Sequence, residues 1–214
     1  MTTHTSKAYG GDVNNVLEVF AMATPSEKEE GMRWYEGAAN EARRISYLTH
    51  CKVSWIAVAG VIAALSPNVR WEQNLKAAEK LVVAFYNGGI DEARATKVVA
   101  YNSSKERALR ILSGDFTTWD SILTGPKIRE FFYCITDYCK LPNGNWEVCI
   151  DGHAYNVWAK KRVPMTSVPN LRGRIRNEIK AAYIKAAATL GLAPKQVQAI
   201  CWVVWRNRPE LGAA

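Results

Sequence analysis

Apolar residues spaced for helices run through almost the whole chain, and this periodicity limits the fold more than any other feature. In most segments they recur every three or four residues, which places them on one face of an α-helix. A half-buried β-strand needs sustained alternation of apolar and polar residues, and we find none. The sequence therefore predicts an all-α protein.

Capping signals, prolines and glycines set the expected bounds of the helices. Ser26 and Glu29 have the spacing of a capping box that opens a helix to about His50. Ser103 and Glu106 have the same spacing, for a helix through Leu112. The other helices are expected over residues 52–65, 69–86, 91–101, 117–123, 126–139, from 151 to about 160, 171–190 and 194–206.

The chain is long enough to bury a substantial core. At 214 residues it is predicted to form a single domain over 1–214, and no internal repeat or low-complexity tract divides it. Its 28 Lys and Arg residues against 20 Asp and Glu residues give a formal net charge of +8. This charge favours an anionic partner such as nucleic acid.

The five cysteines form no metal-binding pattern. They occur without a CxxC motif or a paired Cys/His cluster, so we expect no zinc site, iron–sulfur cluster or other cofactor. Free thiols fit a reducing cytosol. The first residues lack the order of a signal peptide, and residues 53–65 are too short to span a bilayer. We therefore expect a cytoplasmic protein that does not enter a membrane.

Asp151 is the most informative single residue, because it follows an apolar run and introduces a helical segment. An aspartate in that place is commonly an N-cap that accepts hydrogen bonds from free backbone N–H groups. It can equally place a carboxylate in a reaction site. One carboxylate can serve both purposes.

Four short segments carry the most specific patterns. They are Val61-Ile-Ala-Ala-Leu-Ser-Pro-Asn68, Val99-Ala-Tyr-Asn-Ser-Ser-Lys105 with Ala108-Leu-Arg-Ile-Leu112, Ile122-Leu-Thr-Gly-Pro-Lys-Ile128 and Val148-Cys-Ile-Asp-Gly-His153. In this order they resemble the helix before a DNA-probing loop, a Tyr-Asn-x-Lys-Ala helix start, a hairpin and an active-site turn of the helix-hairpin-helix (HhH-GPD) DNA glycosylases. The resemblance covers roughly residues 55–160 and implies a two-lobed helical fold, in which helices over 171–208 complete a lobe.

The resemblance implies catalytic roles for two residues. Asp151 matches the carboxylate that stabilises positive charge on the sugar and positions or deprotonates the nucleophile when the N-glycosidic bond breaks. Lys127 matches the hairpin lysine that attacks C1′ in bifunctional members, which requires a lowered pKa. The alternative for Lys127 is a solvated residue in the first helical turn.

The hairpin departs from the family pattern. Gly125 is its only glycine, and Pro126 has no N–H to offer a DNA phosphate, so phosphate binding there is in doubt. The resemblance places His153 as a residue that structures the active-site turn through a hydrogen bond, with general acid/base work as the alternative. It places Ser66 and Asn68 where relatives probe the duplex, although a simple helix break explains both equally well.

Aromatic and basic residues near the matched segments are further candidates for DNA contact. Trp146 and Trp158 could stack on a base, with a place in the core as the alternative. The strongest basic concentration follows the Asp151 helix and could bind phosphates or form a solvated face. It comprises Lys160, Lys161, Arg162, Arg172, Arg174 and Arg176.

The C-terminal segment, residues 193–206, resembles the ending of small phage-encoded glycosylase-like proteins. Some of their relatives are linked to hypermodified thymines in phage DNA. Three hypotheses follow. The leading one is a DNA glycosylase that excises a modified or damaged base, in the host cytoplasm if it is phage-encoded. The others are a transferase or pyrophosphorylase acting at the 5-substituent of a modified thymine, and a DNA-binding module without activity.

Overall fold

The computed structural model describes residues 11–142 and 144–212. It is predominantly helical, and the described ranges contain no strand, only an isolated bridge between Lys140 and Trp146. The predicted all-α class is confirmed. The helices are α1 (Val13–Ala21), α2 (Pro25–Tyr47), α3 (Trp55–Leu65), α4 (Trp71–Ala95), α5 (Asn102–Ser113), α6 (Trp119–Ile122), α7 (Pro126–Thr136), α8 (Gly152–Ala159), α9 (Gly173–Leu190) and α10 (Pro194–Asn207), and a 3-10 turn spans Met165–Ser167.

The start of α2 lies earlier than the predicted capping box. Thr24 Oγ1 accepts a hydrogen bond from the Glu27 backbone N–H at 3.2 Å, and Glu27 Oε2 accepts one from the Thr24 N–H at 2.9 Å. Pro25 occupies the first helical position, where its missing N–H costs nothing. The box at Ser26 and Glu29 is therefore wrong by two residues.

Gly89 interrupts α4 where two separate helices were predicted. Its φ of 71° lies in the left-handed region, and helical geometry resumes immediately after it. The continuation ends at Ala95, well before the predicted end at residue 101. A glycine with positive φ thus bends the chain and leaves only a short second stretch of helix.

The described residues form two compact units. The terminal unit comprises residues 11–35, 139–142 and 144–212, and the middle unit comprises residues 36–138. The prediction of one domain over the whole chain stays a prediction. No helix of the described residues has both the length and the apolar character needed to cross a membrane.

The core of the terminal unit lies among α1, α8, α9 and α10, which contact one another. Its largest buried side chains are Trp158, Trp205 and Tyr183. Val16, Val19 and Phe20 of α1 join this core at the spacing expected for one helical face. The helix that the sequence prediction missed is therefore a full member of the core.

The core of the middle unit is built around α3, which contacts α4, α5 and α7. Every residue of α3 from Val58 to Leu65 is buried, as a helix that is apolar on all sides requires. Ser54 caps its start by accepting a hydrogen bond from the Ala57 N–H, so the helix begins later than the predicted residue 52. Gly60 leaves room for the Trp119 ring, which a Cβ at that position would meet at 2.7 Å.

Candidate functional site

Asp151 is the N-cap of α8, in the terminal unit. Its Oδ1 accepts a hydrogen bond from the Ala154 N–H at 2.9 Å. Its other oxygen, Oδ2, makes no hydrogen bond to any residue that the structure describes, and the side chain is half-buried. The aspartate therefore caps the helix with one oxygen and keeps the second for another partner.

The chain reaches Asp151 through a buried extended segment. Val148 and Ile150 have no exposed surface, and Cys149 is nearly as buried. Because no sheet exists in the described residues, side chains of α9 bind this segment instead. Arg176 Nη2 donates to the Ile150 carbonyl at 2.9 Å, and Lys180 Nζ lies 2.6 Å from Glu147 Oε2.

Tyr183 and Cys201 lie close enough to interact electrostatically in the same core. Burial raises the pKa of the Tyr183 phenol well above its usual range, and the Asp151 carboxylate raises it further. Burial also raises the pKa of the Cys201 thiol strongly. Both groups therefore keep their protons at neutral pH. No local sequence pattern distinguishes Tyr183 from an ordinary core aromatic.

His153 is the second residue of α8. Its Nδ1 is buried and has no hydrogen-bond partner within the described ranges. A buried polar atom without a partner costs about 1–3 kcal/mol, so it needs a specific explanation such as a water or ligand contact. The expected role of His153 in structuring the turn is thus not supported by a bond from this nitrogen.

The predicted hairpin lies in the middle unit, where residues 123–125 join α6 to α7. Gly125 is the N-cap of α7 with a φ of −77°, and Pro126 takes the first helical position. Lys127 follows in the first turn and is half-buried. Residues 123–125 thus connect two helices, and Pro126 has no N–H to offer a phosphate.

Ser66 and Asn68 lie in the turn after α3. Ser66 is the C-cap, and its hydroxyl donates to the Ala63 carbonyl at 2.9 Å. Asn68 is exposed, has a φ of 57°, and its Nδ2 donates to the Tyr101 hydroxyl at 2.8 Å. The helix-break alternative accounts for Ser66, and Asn68 alone of the two presents its side chain to solvent.

The two candidate tryptophans differ in exposure. Trp158 is only 2% exposed and belongs to the core of the terminal unit, so stacking on a base is corrected to a packing role. Trp146 is half-buried, and the Lys140 ammonium lies 5.8 Å from its ring centroid. It remains a candidate for contact with a base.

The predicted basic surface is largely engaged within the protein. Arg162 donates to the carbonyls of Trp205, Arg208 and Leu211 and lies over the Trp205 ring. Arg176 is buried and donates to the Leu171 and Ile150 carbonyls. Both guanidiniums lie against the protein's own backbone, which limits their access to a phosphate, and the predicted phosphate contacts stay predictions.

The other four cations of this set lie at the surface. Lys160 pairs with Glu18, and Arg174 pairs with Glu178 on the next turn of α9. Lys161 and Arg172 are exposed and have no ion pair among the described residues. These two are the members best placed to meet an anion.

We find no arrangement of three or more His, Cys, Asp or Glu side chains suited to hold a metal ion in the ranges that the structure describes.

A family model matches nearly the whole chain, over residues 2–209. The protein belongs to DUF7178, a family of unknown function. No curated protein matches the chain, and no solved structure matches it either.

Proposed function

We propose that this protein is an enzyme that processes a nucleobase in DNA, with base excision as its reaction and Asp151 as the catalytic carboxylate. The observation that carries the proposal is the different bonding of the two Asp151 oxygens. Oδ1 caps α8, and Oδ2 has no hydrogen bond within the described residues. The resemblance of the Val148–His153 turn to glycosylase active sites supplies the reaction class.

The chemistry asked of Asp151 suits a carboxylate held in this way. When an N-glycosidic bond breaks, positive charge develops on the sugar, and a fixed carboxylate beside it stabilises the transition state. The bond from the Ala154 N–H fixes the orientation of the carboxylate before the substrate arrives. The same oxygen that is free of the cap can accept a proton from an attacking water.

Product analysis tests the proposal and separates it from its alternatives. We would incubate the protein with oligonucleotides carrying uracil, 5-hydroxymethyluracil, hypoxanthine or 3-methyladenine, in single-stranded and duplex form. Released free base indicates a glycosylase. An altered nucleoside with an intact N-glycosidic bond indicates a transferase, and unchanged DNA that still binds indicates a binding module.

Borohydride trapping tests whether Lys127 is a nucleophile. If Lys127 attacks C1′, reduction should trap a covalent protein–DNA adduct in the wild type and none in Lys127→Ala. Arg129→Ala is the matched control, because Arg129 lies on the same helix and is also half-buried. An adduct that persists in Lys127→Ala, or its absence in the wild type, removes the lyase role and leaves Asp151 untouched.

A further inference from the structure

We propose that Arg176 is a positioning residue that fixes the orientation of Asp151. It does so by binding the peptide group immediately before the aspartate. The catalytic part of this inference rests on the proposed function, but the positioning itself can be measured without any substrate.

The first step is the bond between Arg176 and Ile150. Nη2 donates to the Ile150 carbonyl at 2.9 Å, and this carbonyl belongs to the peptide bond that leads into Asp151. A peptide group is planar, so restraining its oxygen also restrains the backbone N–H of Asp151 and the direction of its Cα. Arg176 is only 7% exposed, so water competes little for this contact.

The same guanidinium has a second donor, Nη1, with a different partner. Nη1 donates to the Leu171 carbonyl at 2.9 Å, just before the start of α9. The planar group therefore joins two stretches of backbone at a fixed separation. A lysine ammonium cannot reproduce this fork geometry, although it carries the same charge.

Lys180 provides a second anchor for this segment, one helical turn further along α9. Lys180 lies four residues after Arg176, hence on the same helical face, and pairs with Glu147. Both side chains of this pair are largely buried. Arg176 thus holds the end of the segment from Glu147 to Ile150, and Lys180 holds its beginning.

The backbone of this segment lies outside the helices. Its residues belong to neither a helix nor a strand, although Val148 and Ile150 are completely buried. Buried peptide groups need partners, and Arg176 of α9 supplies one for the Ile150 carbonyl. Loss of the anchors should loosen the cap at Asp151 before it unfolds the core.

The Ala154 N–H reports this loosening directly, because its hydrogen bond to Asp151 Oδ1 depends on the placement of the aspartate. We would measure amide hydrogen exchange by NMR in the wild type, Arg176→Lys and Arg174→Lys. Arg174 lies on the same helix but is exposed, which makes it the matched control. We expect Ala154 exchange to rise by about tenfold in Arg176→Lys alone, with amides in the middle of α1 unchanged.

Exchange at the wild-type rate in folded Arg176→Lys would overturn the inference, as would an equal rise in Arg174→Lys. If Arg176→Lys does not fold, Glu147→Gln and Lys180→Gln decide the matter by the same readout, since each weakens only the second anchor. A rise at Ala154 in neither variant would then refute the inference.

An active substrate adds a second test. Arg176→Lys should lower kcat by about tenfold with little change in KM, because it misplaces a catalytic group without touching the bound DNA. A change in KM alone would contradict positioning. If Asp151→Asn remains fully active, the proposed function fails, while the Ala154 measurement still decides whether Arg176 positions Asp151.

Discussion

Asp151 and Arg162 both carry charges predicted to act on DNA, and both bind backbone of the terminal unit, yet the structure leaves them in different situations. Asp151 bonds the Ala154 N–H through one oxygen, and its second oxygen has no bond in the described part of the chain. Arg162 directs Nε and Nη2 at three backbone carbonyls and covers the Trp205 ring. Asp151 thus retains an acceptor oxygen for another partner, whereas Arg162 already directs three of its five N–H donors at the protein itself.

The largest effect expected from this comparison is on catalysis. Asp151→Asn should reduce turnover by on the order of 10³-fold, because it removes the charge that stabilises the transition state. Asparagine is also a good N-cap, so the urea midpoint should hardly move. Asp12→Asn is the control, since Asp12 is the N-cap residue of α1 in the same unit and is exposed. Full activity of Asp151→Asn would reduce Asp151 to a cap.

Arg162 should show the opposite behaviour. Arg162→Gln is expected to lower the free energy of unfolding by about 2–3 kcal/mol, because part-buried carbonyls lose a charged donor. Urea denaturation measures this loss, and Lys161→Gln next to it should change stability by less than about 0.5 kcal/mol. Unchanged stability together with weaker DNA binding would support the predicted phosphate-binding role of Arg162 instead.

A smaller effect on stability is expected from Glu27, whose two carboxylate oxygens both accept hydrogen bonds within the protein. Burial raises its pKa, but bonds from Thr24, Arg208 and Asn207 outweigh burial and hold the pKa at about 2. Because the folded pKa lies below the ordinary 4.5, its contribution is complete above pH 4.5 and disappears as the pH falls towards 2. We expect the contribution of Glu27 to the free energy of unfolding to fall by about 1–2 kcal/mol over this pH range.

Urea midpoints at pH 6 and pH 3 test this prediction in the wild type and Glu27→Gln. The variant lacks the titrating group, so its stability should fall less between the two pH values. Other carboxylates with lowered pKa, such as Glu106 beside Arg94, are common to both proteins and cancel in the difference. Equal acid losses in the two proteins would refute the role of Glu27.

The smallest effect belongs to the two exposed cations of the predicted basic surface. If DNA binds there, neutralising Lys161 and Arg172 should reduce the slope of log affinity against log salt by about one unit for each residue. Lys160→Gln is the comparison, because Lys160 already pairs with Glu18. A slope unaffected by Lys161 and Arg172 would move the DNA path away from this surface.

The sequence predicted the fold class and most helices because their signals are local. Apolar spacing, the Pro126 start and the aspartate before residues 152–160 each act within one or two helical turns. The same local signals were present for α1, where Val16, Val19 and Phe20 mark one face, so that helix could have been found. The capping box at Ser26 failed because Thr24, Pro25 and Glu27 together make a better helix start.

The surroundings of Asp151 were not predictable in this way. Arg176 hydrogen-bonds to Ile150, which lies 26 residues earlier in the sequence, and Lys180 bonds to Glu147, which lies 33 residues earlier. The apolar spacing of α9 places Arg176 and Lys180 on the same face as the buried Ile179 and Tyr183. No local pattern, however, identifies the Glu147–Ile150 segment as the partner of that face.

The terminal unit is assembled from two parts of the chain that the whole middle unit separates. During synthesis α1 is translated before α8, α9 and α10. Val16, Val19 and Phe20 can be buried against those helices only after they too have been made. About a hundred residues must be translated in between, which takes on the order of ten seconds at ordinary rates. The middle unit can fold during that time, because it is one continuous stretch of the chain. The surroundings of Asp151 are therefore completed only after α9 and α10 have been translated.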